Sequence, residues 1–203
     1  MKARLFSYKL ANDSGFAPNP FHGFMTLANC KPQIRKSKKV GDWIAGFTSK
    51  QLDKDTAIGK EKLIYLMLVT DKIDYDEYWN NPKYSCKKPS TEFEKNIGIA
   101  GDNIYMPDGS NGFIQIENKN HGKDAISRDL RGQYILVSEK FYYFGDSPIE
   151  IPKEFRPSIP KGQSSQGSRT HDNFLAENFI NYIQSKYSEG IHSMPHRWSK
   201  SNK

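Results

Sequence analysis

Two residue types in this chain can do acid–base or nucleophilic chemistry near neutral pH, histidine and cysteine, and both are scarce. His121 is followed by Asp124 and Asp129. An imidazole titrates near neutrality and a carboxylate can orient it, so His121 is the candidate general acid or base. Its partner would be Asp129, with Asp102 as the other choice. The segment from Glu117 to Arg131 reads as an exposed loop. Cys30 and Cys86 form no CxxC pair and neither has a histidine close in sequence, so reduced thiols and no metal site are expected. His192 and His196 stand four apart beside Pro195 in the C-terminal segment, and no metal is expected there either.

Other residues have the chemistry to hold an anion or a base. Lys31 and Arg35 sit four apart with Lys36, Lys38 and Lys39 close by. Such cations neutralise phosphate, and an arginine can do so with two parallel bonds. Phe16, Phe21 and Trp43 offer ring faces for stacking, worth roughly 1–3 kcal/mol per base where it occurs, and Asn19 lies in the same turn-rich loop. Asn103 can read a base edge through its donor and acceptor, and Tyr105 can stack or hydrogen-bond. The stretch from Gly162 to Thr170 (GQSSQGSRT) leads into a helix, where backbone amides with Arg169 and His171 could bind an anion. It is not a phosphate loop: no Lys-Ser/Thr follows the second glycine, and a proline-rich segment stands where a strand is needed. The zinc deaminase, GxGxxG and HExxH signatures are absent, so no cofactor is expected.

These residues must be positioned by a chain rich in short apolar segments. Arg4–Leu10 alternates as a half-buried strand, with Phe6, Tyr8 and Leu10 on one side. Ala11–Pro20 is a turn region rich in Asn, Asp, Gly and Pro. Lys31–Lys39 should make one or two exposed turns. Trp43–Phe47 reads as a strand whose Gly46 marks a bulge or a close approach. Thr48–Glu61 reads as a polar loop, and Leu63–Val69 as a strand buried on both faces. Asp71–Trp79 suits a short helix or turn, and Asn80–Asn96 an irregular excursion. Phe113–Glu117 alternates again. Gly132–Ser138 and Phe141–Phe144 read as a strand pair. Phe174–Tyr187 is the clearest helix, capped by Thr170 or Asp172. The sum is an α+β fold on a curved mixed sheet or small barrel, with few peripheral helices and a C-terminal helix. Strands and helices do not alternate regularly, which excludes a doubly wound parallel sheet. One domain over residues 1–187 with a basic, flexible tail over 188–203 is expected.

With 203 residues and a net charge of +7, the chain concentrates its positive charge. Lys31–Lys39 carries +5 and Lys186–Lys203 carries +3, leaving the rest near −1. Local basic patches suit phosphate-bearing partners. No segment approaches the roughly 18 apolar residues of a membrane span, and no apolar signal core opens the chain. A cytoplasmic protein of a bacterial cell or phage-infected host, without a membrane partner, is expected.

Three blocks, Asp13–Gly23 (DSGFAPNPFHG), Leu27–Arg35 (LANCKPQIR) and Val40–Ile44 (VGDWI), resemble the nucleotide modification associated domain 2 family. Gly101–Tyr105, His121, and Phe141–Gly145 followed by Ile151-Pro152 are similar to it as well. The resemblance covers most of the chain and implies a role around modified DNA bases in phage and bacteria. A fainter likeness ties the Lys-Val-Gly-Asp-Trp-Ile segment to small PUA-like barrels such as the EVE and ASCH domains, some of which read modified bases.

The leading expectation is a nucleotide- or modified-base-binding protein, its partner a nucleotide, a modified base or nucleic acid. Phosphate would sit on Lys31 and Arg35, and the base among Trp43, Asn103 and Tyr105. An enzyme using His121 on a nucleotide or DNA base is the second reading, and a nucleotide-sequestering protein of phage–host conflict the third.

Overall fold

A computed structural model describes residues 3–56, 59–162 and 166–198. In chain order the first elements are β1 (Arg4–Leu10), β2 (Met25–Leu27), α1 (Pro32–Ser37), β3 (Asp42–Thr48) and α2 (Lys50–Thr56). Then follow β4 (Leu63–Leu68), β5 (Asp71–Asp74), α3 (Tyr75–Asn80), α4 (Lys95–Ile99), β6 (Tyr105–Pro107) and β7 (Phe113–Gln115). The last are α5 (Ile126–Asp129), β8 (Tyr134–Ser138), β9 (Lys140–Tyr143), β10 (Ser168–Thr170), α6 (Asn173–Lys186) and β11 (Gly190–Ile191).

A six-stranded mixed sheet in the order β10-β1-β3-β4-β9-β11 is the centre of the molecule. Strands β1 and β3 run parallel, and β3, β4 and β9 are antiparallel neighbours. Among the described residues the sheet has two edges, β10 and β11, and does not close into a barrel. One of its faces packs on α6 through Leu5, Trp43, Phe47, Leu66, Phe179 and Ile183. The other packs Tyr8, Leu10, Ile44, Tyr65 and Met67 against Met25, Leu27 and Leu136 of a second sheet, ordered β2-β8-β5. Period-2 alternation in β1 and β3 produces this division, since successive side chains leave opposite faces of a strand.

Asp172 caps α6 by accepting the Phe174 and Leu175 amides. Gly46 lies beside both a register shift and a crowd: a Cβ there would stand 2.2 Å from the Tyr65 ring. Three expectations need correction. The polar stretch after Thr48 contains α2, because Ser49 Oγ accepts the Leu52 amide as an N-cap and Leu52 is buried. Strands β8 and β9 do not pair, since Glu139 alone separates them, too short for a hairpin. The chain instead steps from the second sheet to the first, with β8 beside β2 and β5, and β9 beside β4. Finally, Ser188–Trp198 is docked: β11 pairs with β9, and Trp198 stacks on Phe21 at 5.0 Å between ring centres. Residues 199–203 lie outside the described residues.

Candidate functional site

At the C-terminal end of β1 the chain leaves the sheet and becomes the wall of a cavity of about 490 Å³. Leu10, Ala11, Asn12, Ser14, Phe16 and Ala17 form this wall, with Tyr8 beneath. The facing wall is the β2–α1 junction, Cys30 to Gln33, and the rim is closed by Asn120, His121 and Arg128. The lining contains three basic side chains, Lys31, His121 and Arg128, and no carboxylate. Its size lies within the range of about 300–1,000 Å³ typical of small-molecule sites.

Cys30 and Lys31 both have left-handed backbones, at φ 57° and 39°. Non-glycine residues there are uncommon and persist only where the surroundings hold them. What holds Cys30 is visible on both sides of its peptide unit. Its amide donates to Asp129 Oδ1 at 3.1 Å, and its carbonyl accepts from Arg35 Nε at 2.8 Å. Arg35 also donates to Tyr75 Oη, the Tyr134 carbonyl and the Asp129 carbonyl. Glycine at 132 leaves room for this guanidinium: a Cβ there would lie 2.4 Å from Arg35 Cζ.

The result is a cluster of thiol, imidazole and carboxylate. Cys30 Sγ lies 3.5 Å from His121 Nε2, and the same nitrogen lies 2.8 Å from Asp129 Oδ2. His121 Nδ1 is 2.7 Å from the Asn120 carbonyl, so that nitrogen carries a hydrogen. Tyr105 donates its hydroxyl to Asp129 Oδ2 at 3.0 Å, and the Phe16 ring packs on the imidazole at 4.8 Å. Burial disfavours the imidazolium, but the Asp129 hydrogen bond and the Cys30 contact outweigh it, and the His121 pKa is pushed up to about 10. For Asp129, burial would raise the pKa, but the bond and charge of His121, with Arg35 and Arg128, hold it below the ordinary carboxylate value. His121 is thus a cation at neutral pH, bonded to a carboxylate and touching a thiol. Lys31 has its pKa lowered, chiefly by burial.

The donor atoms of Cys30, His121 and Asp129 lie within 4.8 Å of one another, close enough to ligate a metal ion. Cys30 therefore has the histidine neighbour that its sequence surroundings lack. Against a divalent ion stands Arg128, whose Nη2 is 3.1 Å from His121 Nε2 and whose Nε is 3.2 Å from Asp129 Oδ1. A guanidinium already neutralises the position a metal would fill, so the geometry suits a proton-linked cluster better than a dication.

Of the residues singled out in the sequence, Phe16, Lys31 and His121 line the cavity and Asp129 stands behind His121. The others are elsewhere or have other work. Arg35 is fully buried and its bonds hold backbone, so no phosphate can reach it. Trp43 faces α6 on the far side of the sheet. Asn103 is buried and donates to the Tyr78 carbonyl. Tyr105 acts behind Asp129 rather than on a ligand. Asn19 is buried, donating to the Ala100 carbonyl and accepting from Lys87. Phe21 is covered by Trp198. Asp102 accepts from Thr26 and Tyr78 and is not the partner of His121. Arg169 lies exposed on the edge strand β10 and His171 just after it, neither lining the cavity. Asp124 is exposed.

The sequence reading missed Cys30, Lys87 and Arg128. Lys87 is buried and bonds the carbonyls of Asn19, Phe21 and Phe24, stapling the loop that leads away from the cavity wall. A lone cysteine between an asparagine and Lys-Pro gives no chemical signal until His121, 91 positions away, is brought to it.

An open mixed-sheet α+β protein with a thiol–imidazole cluster in a cationic cavity is the class these features define. A family model for nucleotide modification associated domain 2 matches residues 2–202, and the chain belongs to that family. Neither the curated proteins nor the solved structures gave a significant match. Among the described residues no helix is long and apolar enough to cross a membrane.

Proposed function

We propose that this protein is an enzyme that acts on a nucleotide or nucleobase through Cys30. The observation that carries the reading is the Cys30–His121 contact on the wall of a cation-lined, nucleotide-sized cavity, in a chain whose family is tied to nucleotide modification. A thiolate is the nucleophilic form of cysteine, and an adjacent imidazolium stabilises it. In the step envisaged, the Cys30 thiol first loses its proton to solvent, since His121 already carries both of its own. Sγ then bonds to an electron-poor ring carbon of the base, and the displaced π pair moves to the neighbouring atom, which takes the Nε2 proton of His121. The product of this step is a saturated Cys30 adduct. Expulsion of the sulfur with return of that proton releases the base unchanged, so turnover requires an electrophilic group donor, R–X, from which the neighbouring ring carbon takes R while X leaves with the bonding pair, before a ring proton and the sulfur depart. Lys31 and Arg128 would neutralise a phosphate at the rim, and Phe16 or Tyr8 would pack on the base.

Binding alone, the leading expectation from sequence, uses the same cavity and differs in its test. Nucleoside monophosphates and modified nucleosides are titrated by calorimetry at low salt, and Cys30 alkylation by iodoacetamide is followed with each bound. The enzyme reading expects protection of Cys30 by the ligand, together with a covalent adduct or turnover that Cys30→Ser abolishes. Protection with no adduct and no turnover would leave a binding protein. No binding and no protection with any of them would sink both readings.

A further inference from the structure

The cavity opens onto a cationic ridge that a free nucleotide would not need. Helix α1 begins at the cavity with Pro32 and Gln33 and carries Lys36 on its exposed side, with Lys39 exposed just beyond it. The turn containing Arg131 packs against α1, and that arginine is exposed as well. Arg128, three residues before Arg131 in the chain and 47% exposed in its side chain, lines the cavity itself.

Acids are sparse along α1 and the Arg131 turn, though the exposed Asp74 stands opposite Tyr134 across the β5–β8 pair. Residues 30–41 contain none, and residues 125–137 contain only Asp129, which is buried against His121. Asp42, the next acid along, is buried and taken up by Arg4 at 3.0 Å and by the Lys39 amide at 2.9 Å. Even the carbonyl end of α1 is covered, since Lys72 Nζ donates to the Lys36 and Lys38 carbonyls at 2.8 Å each. Tyr134 adds a ring, 36% exposed, beside this ridge: its carbonyl is held by Arg35 of α1, and Lys72 Nζ lies 4.4 Å from the ring centre.

We infer that the nucleotide taken by the cavity is one unit of a single-stranded polynucleotide, whose flanking phosphates lie along Lys36, Lys39 and Arg131 and whose neighbouring base stacks on Tyr134. This rests on the proposal that the cavity holds a nucleotide. A six-residue helix is about 9 Å long, which spans two or three phosphates at the roughly 3.4 Å rise of one stacked strand. Basic side chains following a backbone, with an aromatic ring offered beside them, are what sequence-tolerant strand binding needs. A single strand fits better than a duplex because the base must enter a concave cavity, and unstacking is least costly when no pairing is broken.

The test uses fluorescein-labelled 12-nucleotide single strands of DNA and RNA, a 12-base-pair duplex, and nucleoside monophosphates. Binding is measured from 20 to 200 mM salt in parallel with protection of Cys30 from iodoacetamide. Single strands, of either sugar, should bind at least tenfold tighter than monophosphates and than the duplex. Lys36→Ala with Lys39→Ala should lower the single-strand salt slope by about 1.4, at about 0.7 per lost phosphate contact. Monophosphate protection of Cys30 should stay unchanged in that variant. Tyr134→Ala should weaken strand binding about fivefold or more and leave monophosphate binding alone. Monophosphate protection without tighter strand binding, or a salt slope unmoved by the double variant, overturns the inference and leaves the cavity reading standing. Strand binding that never protects Cys30 overturns both.

Discussion

Replacing His121 with glutamine separates the charge of the cluster from its shape. A glutamine amide can still donate to Asp129 but carries no proton to lose. In the folded protein His121 has a pKa of about 10, against an ordinary value of 6.5. A raised pKa means the folded state holds the proton more tightly than the unfolded chain does. The stabilisation is therefore fully present below pH 6.5 and is lost as pH rises through about 10. At about 1.36 kcal/mol per pH decade, it amounts to on the order of 4 kcal/mol at pH 7 and almost nothing at pH 10.5. That is a large share of the roughly 5–15 kcal/mol by which domains are stable. Urea denaturation of wild type and His121→Gln at both pH values reads the quantity directly. Comparing the two proteins removes groups common to both, such as buried Lys87, whose pKa is lowered to about 8, chiefly by burial, and which shifts stability the opposite way. The variant should be less stable than wild type at pH 7 by about 2–4 kcal/mol, with the gap closing by pH 10.5. A gap of the same size at both pH values would show that His121 is not held as a cation, and the reasoning about the cluster would fall with it.

Arg35→Met should lower stability by about 3–5 kcal/mol, because it takes the Arg35 donor from the Cys30 and Tyr134 carbonyls and leaves the Asp129 carbonyl with Tyr75 alone. The same change should slow Cys30 alkylation, read by peptide mass spectrometry. Gly132→Ala should strike the same point by pushing a methyl group into the guanidinium, at about 1–3 kcal/mol by denaturant midpoint. Asp13 is buried where Tyr143 and the His196 amide donate to it, and its pKa is raised, chiefly by burial, to about 6. Its contribution to stability is present below pH 3.8 and disappears as pH rises through about 6, so the ionised carboxylate is a burden at neutral pH. Asp13→Asn should therefore gain stability relative to wild type between pH 4 and pH 7.5, by up to about 3 kcal/mol. A thermal denaturation series showing no pH-dependent difference would refute that.

The strands could be read from sequence where apolar residues alternate or run together, a pattern that survives without knowledge of the partner. Strands β1 and β3 are of this kind, although both faces of each are buried rather than one, and helix α6 was legible through its 3.6-residue spacing. Pairing was less legible: β8 and β9 are neighbours in sequence yet belong to different sheets, because a one-residue link directs the chain between layers. The site was half legible. His121 and Asp129 stand eight positions apart, and their roles as imidazole and carboxylate are intrinsic to the residue types. Cys30 became significant only through tertiary structure. Arg35 and Trp43 misled because type alone suggests a ligand, whereas burial assigns both to holding the fold. Arg35 still matters to the site, one step back, through the Cys30 carbonyl.

The central claim is that Cys30 and His121 form a reactive pair, and Cys86 provides its control. Cys86 is also partly buried and free, but lies outside the cavity, with its thiol near the Lys83 carbonyl. Both cysteines are alkylated with limiting iodoacetamide at pH 7, and the rate at each is followed by peptide mass spectrometry in wild type and in His121→Gln. Cys30 should react at least tenfold faster than Cys86 in wild type and lose that advantage in the variant, while Cys86 keeps its rate. Equal rates at the two cysteines, or a Cys30 rate indifferent to His121, would contradict the account.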